Sequence, residues 1–198
     1  EKKSLKKLNK KKFHIYEKFT ISQVAKSLSQ GKIIARCAGR MEFGQRALGN
    51  RSILADPRFL EIKEKINSAI KNRDFWMPFA PVILKKFSDK YLINPKNTES
   101  PHMTVGFETT NLGYKKMRAA CHPADKTARA QILEKKHNPQ LYELISEFHK
   151  LTGVAALLNT SFNLHGFPIV NTSEQAISVL IKSDLDGLLL NNFFILKK

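Results

Sequence analysis

The sequence predicts a single α/β domain, in which a sheet is covered by helices. Short apolar runs bounded by turn residues alternate with segments whose apolar residues have helical spacing. This alternation is typical of α/β proteins. The 198 residues are 42% hydrophobic and include 13 Phe, so the chain can bury a substantial core. No internal repeat is visible.

The first half of the chain contains two predicted helices and two predicted strands. Thr20 or Ser22 can cap the first helix, which carries Val24 and Leu28 and ends at Gly31. The other predicted elements of this half are a strand at 33–35, a helix at 62–70 and a strand at 82–84. A polar, lysine-rich connection follows at 85–102.

The second half contains more strands than helices. The predicted helices are 139–151, which Gly153 ends, and 173–182, with Glu174 in its first turn. The predicted strands of this half are 103–109, 127–133, 154–158, 169–170, 188–190 and 193–196.

The chain is strongly basic, with a net charge of +17 from 34 Lys and Arg against 17 Asp and Glu. Such a charge attracts polyanions through a field that salt screens. Part of it lies in the first twelve residues, at Lys2, Lys3, Lys6, Lys7, Lys10, Lys11 and Lys12. We interpret 1–18 as a lysine-rich linker or arm and 19–198 as the folded domain.

Cysteine and hydropathy patterns indicate a cytoplasmic protein. Cys37 and Cys121 are too few and too far apart for a zinc site or a disulfide framework. No apolar run approaches the roughly 20 residues that span a bilayer, so no membrane partner is expected. The chain begins at Glu1 rather than Met, and we expect it to be part of a longer protein.

A loop at 39–52 is the main candidate for anion binding, because it contains three glycines and three arginines in fourteen residues. Glycine lets backbone N–H groups approach a ligand, and a guanidinium matches phosphate or carboxylate oxygens in pairs. Gly44 and Gly49 have the spacing of a phosphate-binding P-loop. Asn50 and Arg51 replace its Lys-Ser/Thr, so the segment is not a Walker A motif.

Two further polar clusters accompany this loop. Lys71 and Arg73 share a face if the chain is extended there, and so can converge on one anion. The segment 159–163, Asn-Thr-Ser-Phe-Asn, directly follows an apolar strand, which is where open α/β sheets place ligands. A hydrogen-bonded turn is the alternative interpretation of that segment.

Taken together, these segments resemble the C-terminal domain of the O-carbamoyltransferases of the NodU/CmcH type. The resemblance runs from about Gly31 to the end of the chain, and its motifs are specific. They are GRMEFGQRALGNRSILADPR, IK-x-R followed by PFAP, DKTARAQ and LLNTSFNLHGFPIV. The resemblance implies a YrdC-like fold, an open twisted mixed sheet flanked by helices in a single domain. The YrdC signature K-x-R and S-x-N is present as Lys71, Arg73, Ser161 and Asn163.

The resemblance also implies an activity. The YrdC-like domain of such enzymes makes carbamoyladenylate from carbamoyl phosphate and ATP with Mg²⁺. An N-terminal actin-like or sugar-kinase-like domain of the same protein then transfers the carbamoyl group to a hydroxyl. Both reactants are anions, so the reaction needs positive charge directed at phosphoryl oxygens.

The resemblance carries site residues onto this sequence, none of them a metal ligand. The expected catalytic residues are Arg46, Lys71, Arg73, Ser161 and Asn163. The residues expected to bind the cofactor are Arg40, Gly44, Gly49, Arg51, Arg129, Asn159 and Thr160. Glu42 or Asp125 could contact Mg²⁺ or orient an arginine. Met77 replaces an arginine common in the family, and the role of His122 stays open.

Two alternatives remain from other classes. A free-standing YrdC-type protein would make threonylcarbamoyladenylate for tRNA modification, and binding of L-threonine with ATP would indicate it. A basic module that binds nucleic acid by charge alone is possible but not favoured, because the usual aromatic and basic RNA motifs are absent from the sequence.

Overall fold

One mixed sheet of eight strands forms the centre of the part of the chain that the structure, a computed structural model, describes: residues 2–6, 8–71 and 77–198. The strands of this sheet are β1 (Phe13–Tyr16), β2 (Ile34–Cys37), β3 (Arg51–Ala55), β4 (Ala80–Leu84), β7 (Gln131–Leu133), β8 (Ala156–Ser161), β9 (Gly187–Leu190) and β10 (Phe193–Lys197). A separate short pair consists of β5 (Leu92–Ile93) and β6 (Glu108–Thr109).

The strand order in the sheet is β1-β10-β9-β2-β3-β8-β4-β7. The β2–β9 and β4–β7 pairs are parallel, and the other neighbours are antiparallel. The α/β prediction and the open mixed sheet are therefore confirmed.

Helices cover both faces of the sheet. The described helices are α1 (Lys2–Leu5), α2 (Ile21–Ser29), α3 (Glu61–Ile66), α4 (Ser88–Tyr91), α5 (Asn111–Met117), α6 (Pro139–Thr152) and α7 (Ser173–Lys182). The buried side chains of α2 and α6 pack in one hydrophobic core, and those of α3 and α7 pack in another. None of the described helices has the length and hydropathy to cross a bilayer.

Helix boundaries follow the local sequence signals. The helix predicted at 173–182 is confirmed as α7, where Thr172 and Gln175 form a reciprocal capping box. The helix predicted at 139–151 is α6, and Gly153 ends it with a positive φ of 69°. The helix predicted at 62–70 is divided between α3 and a π-helical turn, Asn67–Lys71.

Three predicted extended or irregular segments differ in the structure. The strand predicted at 169–170 is wrong, because Val170 N–H donates one hydrogen bond to Phe162 O and no ladder continues from it. The strand predicted at 103–109 is reduced to β6, and the connection predicted at 85–102 contains α4 and β5. The sequence patterns predict neither α5 nor the central strand β3. Strand β3 is buried along its whole length between β2 and β8.

The lysine-rich N-terminal segment contributes an edge strand to the sheet. Phe13 to Tyr16 pair antiparallel with β10, from Phe13 opposite Lys197 to Tyr16 opposite Phe194. Leu5, Leu8 and Phe13 are buried in the core that also holds α7. These apolar side chains between the lysines pack part of the range 1–18 onto the domain.

Several polar chain segments meet at one end of the sheet. Strand β8 ends where β3 and β4 begin, since Ser161 pairs with Ser52 and Asn159 pairs with Ala80. Gln131 at the start of β7 pairs with Val82 of β4. The long loop between β2 and β3 also lies here, so this end of the sheet collects residues from four strands and one loop.

Candidate functional site

The arginine loop, residues 38–50, joins two antiparallel neighbours and is closed by its own polar groups. Where its two ends meet, Ala38 N–H donates to Asn50 O at 3.0 Å. Within it, one carboxylate oxygen of Glu42 accepts from Leu48 N–H at 2.8 Å and from Asn50 N–H at 2.6 Å. Glu42 therefore holds the loop in shape, whereas the sequence suggested contact with Mg²⁺ or an arginine.

Two buried arginines hold the loop from inside. Arg51 is 5% exposed, and its guanidinium donates to the main-chain carbonyls of Ala38, Gly39, Asn50 and Asn171. Arg51 was expected to bind the cofactor, but these contacts direct it toward the protein backbone. Burying a charge is costly unless its hydrogen-bonding groups find partners, and the carbonyl oxygens accept from both terminal nitrogens of Arg51, whereas its Nε has no partner among the described residues.

Arg36, which the sequence analysis did not single out, is the second buried arginine. It is 2% exposed and donates to Gly49 O at 2.6 Å, to Asn50 Oδ1 at 3.0 Å and to Gln140 Oε1 at 2.6 Å. Burial lowers the pKa of Arg36 to about 10, with Glu42 acting in the opposite direction. The side chain remains a cation at neutral pH and links the loop to α6.

Gly49 serves close packing rather than ligand contact in this structure. It has a φ of +124°, and a Cβ atom there would lie 2.5 Å from Leu141 Cδ2 and 3.0 Å from Asn138 Nδ2 of the α6 N-terminus. Gly44 also has a positive φ, +126°, but with no atom within 4 Å of a Cβ position. Gly44 lines the cleft described below, and Gly49 is not part of the lining of that cleft.

Amide side chains fix the loop to the sheet on its other side. Asn159 Nδ2 donates to Ala47 O at 3.1 Å and to Gln131 Oε1 at 3.2 Å. Gln131 Nε2 in turn donates to Leu48 O at 3.1 Å. Asn159, expected to bind the cofactor, is thus 2% exposed and tied to the loop, and Gln131 is a site residue that the sequence analysis missed. The position of Gln131 at the end of the DKTARAQ motif could have indicated this role.

A cleft in two parts lies between the loop and the end of the sheet. The inner cavity, about 70 Å³, is lined by residues that include Asn159, Thr160 and Ser161 of β8. The outer cavity, about 410 Å³, is lined by residues that include Gly44, His102 and Thr104. The two cavities share four lining residues, which are Gln45, Arg46, Met103 and Arg129.

Arg46 and Arg129 are the shared cations of this cleft. Neither guanidinium makes a hydrogen bond or ion pair with any described residue, in contrast to Arg36 and Arg51. Partial burial and the positive charge of Arg46 lower the pKa of Arg129, so the two cations of the cleft lining interact electrostatically. The described lining contains no Asp or Glu. An anion is the ligand that such a pair of cations accommodates.

Ser161 and Asn163 lie together at the end of β8. Ser161 Oγ donates to Asn163 Oδ1 at 2.7 Å, and Asn163 Nδ2 donates to Leu164 O and Phe167 O at 3.0 and 2.8 Å. Ser161 lines the inner cavity, while the described contacts of Asn163 hold the turn that follows the strand.

Arg40 and Asp125 are absent from the lining of the cleft. Arg40 is exposed on the loop, and its carbonyl oxygen accepts from Asn50 Nδ2 at 2.8 Å. Asp125 is exposed and caps its own turn through Thr127 N–H and Oγ1, with His122 beside it, and these contacts lower its pKa. Arg73 and the side chain of Lys71 lie outside the described part of the chain.

The cleft residues do not form a metal site by themselves. Among the described residues there is no group of three or more His, Cys, Asp and Glu that could hold a metal ion. Magnesium prefers carboxylate, phosphate and water oxygens. The described residues therefore do not fit a resident Mg²⁺ ion, and we assign no step to one.

Two other cavities are comparable in size but differ in chemistry. One of about 470 Å³ is lined by Arg36, Gln140 and Glu143 among others, and one of about 450 Å³ by Lys6, Lys10 and Glu17 among others. Carboxylates line both, and the guanidinium of Arg36 is already hydrogen-bonded. The cleft with Arg46 and Arg129 is therefore the better anion site.

Comparison with protein families gives one match that covers most of the chain. The model described as "Carbamoyltransferase C-terminus" matches residues 25–197. An uncharacterized protein of Methanocaldococcus jannaschii is 45% identical over 96% of this chain and 36% of its own length. Nodulation protein NolO of Bradyrhizobium diazoefficiens is 39% identical over 89% of this chain and 32% of its own length. The chain thus spans about a third of these relatives.

Solved structures with low sequence identity share the fold. The full-length HypF structure, in its phosphate- and nucleotide-bound form, superposes with a TM-score of 0.61 at 19% identity, covering 94% of this chain and 22% of HypF. E. coli YciO superposes with a TM-score of 0.61 at 15% identity, covering 86% of this chain and 77% of YciO. The YrdC-like fold expected from the sequence is confirmed.

Proposed function

The chain belongs to the carbamoyltransferase C-terminus family, and from this premise we propose that it forms carbamoyladenylate from carbamoyl phosphate and ATP. The observation that carries the proposal is the pair of guanidinium groups of Arg46 and Arg129, which have no hydrogen-bond or ion-pair partner within the described ranges and line both a small and a larger cavity. The larger cavity falls within the range of about 300–1,000 Å³ typical of small-molecule sites. HypF, which shares this fold, has a structure in a phosphate- and nucleotide-bound form, and this supports ligands of the same class for the cleft.

The proposed reaction balances with one water molecule. Water cleaves the bond between the carbamoyl oxygen and phosphorus, which releases phosphate and leaves carbamate. A carbamate oxygen then attacks the α-phosphorus of ATP, and the bond to the β-phosphate oxygen breaks with release of pyrophosphate. Negative charge is carried on phosphoryl and carbamate oxygens, so fixed cations can stabilise the transition states.

We assign the predicted site residues to two roles. Arg46 and Arg129 bind phosphoryl oxygens in the cleft, while Thr160, Ser161 and the backbone at Gly44 orient the reactants. Arg51, Gly49 and Asn163 keep the loop and the strand end in place. Lys71, Arg73 and Arg40 remain proposed phosphate ligands, and Mg²⁺ is proposed to enter with ATP, whose phosphates hold it.

A second domain is proposed to complete the reaction. The matched relatives are about three times as long as the matched segment. We propose that an N-terminal actin-like or sugar-kinase-like domain of the same full-length protein receives carbamoyladenylate and transfers its carbamoyl group to a hydroxyl, releasing AMP.

Phosphorus NMR of the purified chain tests the proposal. We expect pyrophosphate to form from ATP and Mg²⁺ only when carbamoyl phosphate is present. Arg46→Ala and Arg129→Ala should each lower that rate roughly 100-fold, because each removes a preorganised charge donor. Arg118→Ala is the matched control, since this exposed arginine side chain makes one hydrogen bond to the described residues, which it donates to the Arg58 carbonyl.

The outcomes separate the alternatives. A loss below about threefold in both cleft variants would overturn the assignment of the cleft. A parallel reaction with L-threonine and bicarbonate in place of carbamoyl phosphate tests threonylcarbamoyladenylate synthesis. Pyrophosphate in that reaction alone would favour tRNA modification, and release in neither would overturn the adenylation proposal for this chain.

A further inference from the structure

We propose that Phe43, in the middle of the arginine loop, is the residue on which the adenine base of ATP stacks. The inference rests on the proposed function and identifies the place of the base, whereas the residues assigned above serve the reacting groups and the loop.

Phe43 is the most exposed large apolar side chain within the described ranges. Its relative exposure is 108%, whereas the other exposed large apolar side chains in those ranges are 37–66% exposed. Folding therefore removes almost none of this residue from water. Single exposed apolar residues are common on protein surfaces, so exposure alone assigns no role to Phe43.

The position of Phe43 gives its exposure a meaning. Phe43 lines the outer cavity together with Arg46 and Arg129, and it is not part of the lining of the inner cavity. The outer cavity thus combines an accessible aromatic ring with two cations, and its described lining contains no carboxylate.

A nucleotide has the matching composition, because a flat π system is joined to a chain of anionic phosphates. Proteins bind nucleotides of nucleic acids by stacking the bases on aromatic side chains beside positively charged groups. Carbamoyl phosphate or inorganic phosphate would use the two cations and leave the ring without a partner. ATP accounts for both, with its base on Phe43 and its phosphates toward Arg46 and Arg129.

The backbone next to Phe43 is already ordered. Glu42, the preceding residue, accepts hydrogen bonds from Leu48 N–H and Asn50 N–H, so the loop keeps its shape without a ligand. A phenylalanine side chain has two rotatable bonds, and ordering it against a base costs little conformational entropy. The exposed ring is therefore prepared for contact with a flat ligand.

Met103 provides an apolar surface on the protein side of the same cavity. It is 4% exposed and has a φ of +58°, in the left-handed region that side chains rarely adopt. Such conformations are costly and are concentrated at functional sites. The thioether of methionine also makes favourable contacts with aromatic rings. A base in the outer cavity therefore has an apolar neighbour besides Phe43.

Another domain is the alternative partner for an exposed ring. A protein surface that covered Phe43 would also cover the outer cavity, where Arg46 and Arg129 have no partner among the described residues. Desolvating these cations without an opposite charge is costly, whereas the phosphates of a nucleotide neutralise them. The lining of the cavity therefore favours the nucleotide.

Two probes that differ in the base test the inference by binding alone. With Mg²⁺ present, α,β-methylene-ATP carries the base and three phosphorus groups, and inorganic tripolyphosphate carries the phosphates without a base. Calorimetry of both with the purified chain gives their dissociation constants. Phe43→Ala should weaken binding of the ATP analogue about tenfold, the size expected for one stacked base, and change tripolyphosphate binding less than twofold.

Three further variants separate stacking from other effects. Arg46→Ala should weaken binding of both probes, because both carry phosphates. Phe167→Ala is the matched control, since this exposed phenylalanine lines a different cavity, and it should change neither affinity. Phe43→Trp keeps an aromatic ring and should retain the affinity for the ATP analogue. Its fluorescence, after subtraction of the wild-type signal from Trp76, should be quenched by the ATP analogue and not by tripolyphosphate.

The result that overturns the inference differs from the one that overturns the proposed function. A loss below threefold for the ATP analogue in Phe43→Ala, or an equal loss for tripolyphosphate, would show that the base does not stack on Phe43. Carbamoyl phosphate-dependent pyrophosphate release would still support adenylation in that case. Binding of the analogue that depends on Phe43 without any pyrophosphate release would keep the base subsite and overturn adenylation. If the wild-type chain binds neither probe and releases no pyrophosphate, both fail.

Discussion

At the scale of single residues, arginines close together in the fold have opposite environments. Arg36 and Arg51 are buried and donate to main-chain and amide oxygens, so their charges hold the loop together. Arg46 and Arg129 line the cleft without a partner among the described residues. Removing a buried arginine leaves carbonyl oxygens unsatisfied, whereas removing a cleft arginine leaves the fold intact. The same residue type therefore serves stability in one place and ligand binding in the other.

Gly49 and Gly44 allow packing and backbone strain to be measured separately. Gly49→Ala should lower the free energy of unfolding by about 2–3 kcal/mol, because it adds a contact with Leu141 to the strain of a positive φ. Gly44→Ala introduces similar strain without that contact. It should lower the free energy of unfolding by at least about 1 kcal/mol less than Gly49→Ala does. Urea unfolding gives both values. Equal losses would contradict the packing role of Gly49.

At the scale of elements, the N-terminus of α6 and the arginine loop form one hydrogen-bonded unit. Asn138 caps the helix by accepting from Leu141 N–H, and its Nδ2 donates to Asn50 Oδ1 at 2.9 Å. Gln140, in the first turn of α6, accepts from Arg36. The helix start thus positions the loop in addition to covering the sheet.

The two bonds of Asn138 can be separated by substitution. Asn138→Ala removes the cap and the bond to Asn50, and should lower the free energy of unfolding by about 1–2 kcal/mol. Asn138→Asp keeps a capping oxygen and adds a favourable charge at the helix start. It should therefore lower the free energy of unfolding by less than about 1 kcal/mol. Urea unfolding of the two variants, each compared with the wild type, tests this order. A larger loss in the aspartate variant would show that the bond to Asn50 outweighs the cap.

At the scale of the whole molecule, excess positive charge opposes compactness. The net charge of +17 makes the folded chain repel itself, and dissolved salt weakens this repulsion. The same charge attracts anionic reactants to the cleft and makes binding of other polyanions sensitive to salt. Stability and ligand affinity should therefore respond to ionic strength in opposite directions.

Thermal unfolding at different salt concentrations tests the first of these responses. Raising ionic strength from 20 to 500 mM should stabilise the chain by on the order of 1 kcal/mol, which corresponds to roughly 2–4 °C in Tm for a domain of this size. Sodium chloride and sodium fluoride should act alike if screening is the cause. A Tm that falls with salt, or that responds to only one anion, would contradict the repulsion argument.

Much of the fold could be predicted from local patterns. Helix α7 was predicted with its observed bounds because its cap, its apolar spacing and its end are all encoded locally, between Thr172 and Ser183. Strand β3 was missed because Arg51 and Ser52 were assigned to the loop. Its strand conformation depends on pairing with β2 and β8 on either side. Helix α5 was likewise missed within a polar stretch.

The sequence by itself determined the α/β class, the family resemblance, and the two segments that build the cleft, the arginine loop and the polar end of β8. Only the tertiary structure decided which arginines face a ligand and which face the protein. Arg46 and Arg129 line the same cleft although they are far apart in the chain, and Arg51 is hydrogen-bonded to carbonyls from three segments. The physical reason is that burial and hydrogen bonding are properties of segments brought together by folding. A residue's type states what it can bind, and its neighbours in space determine what it does bind.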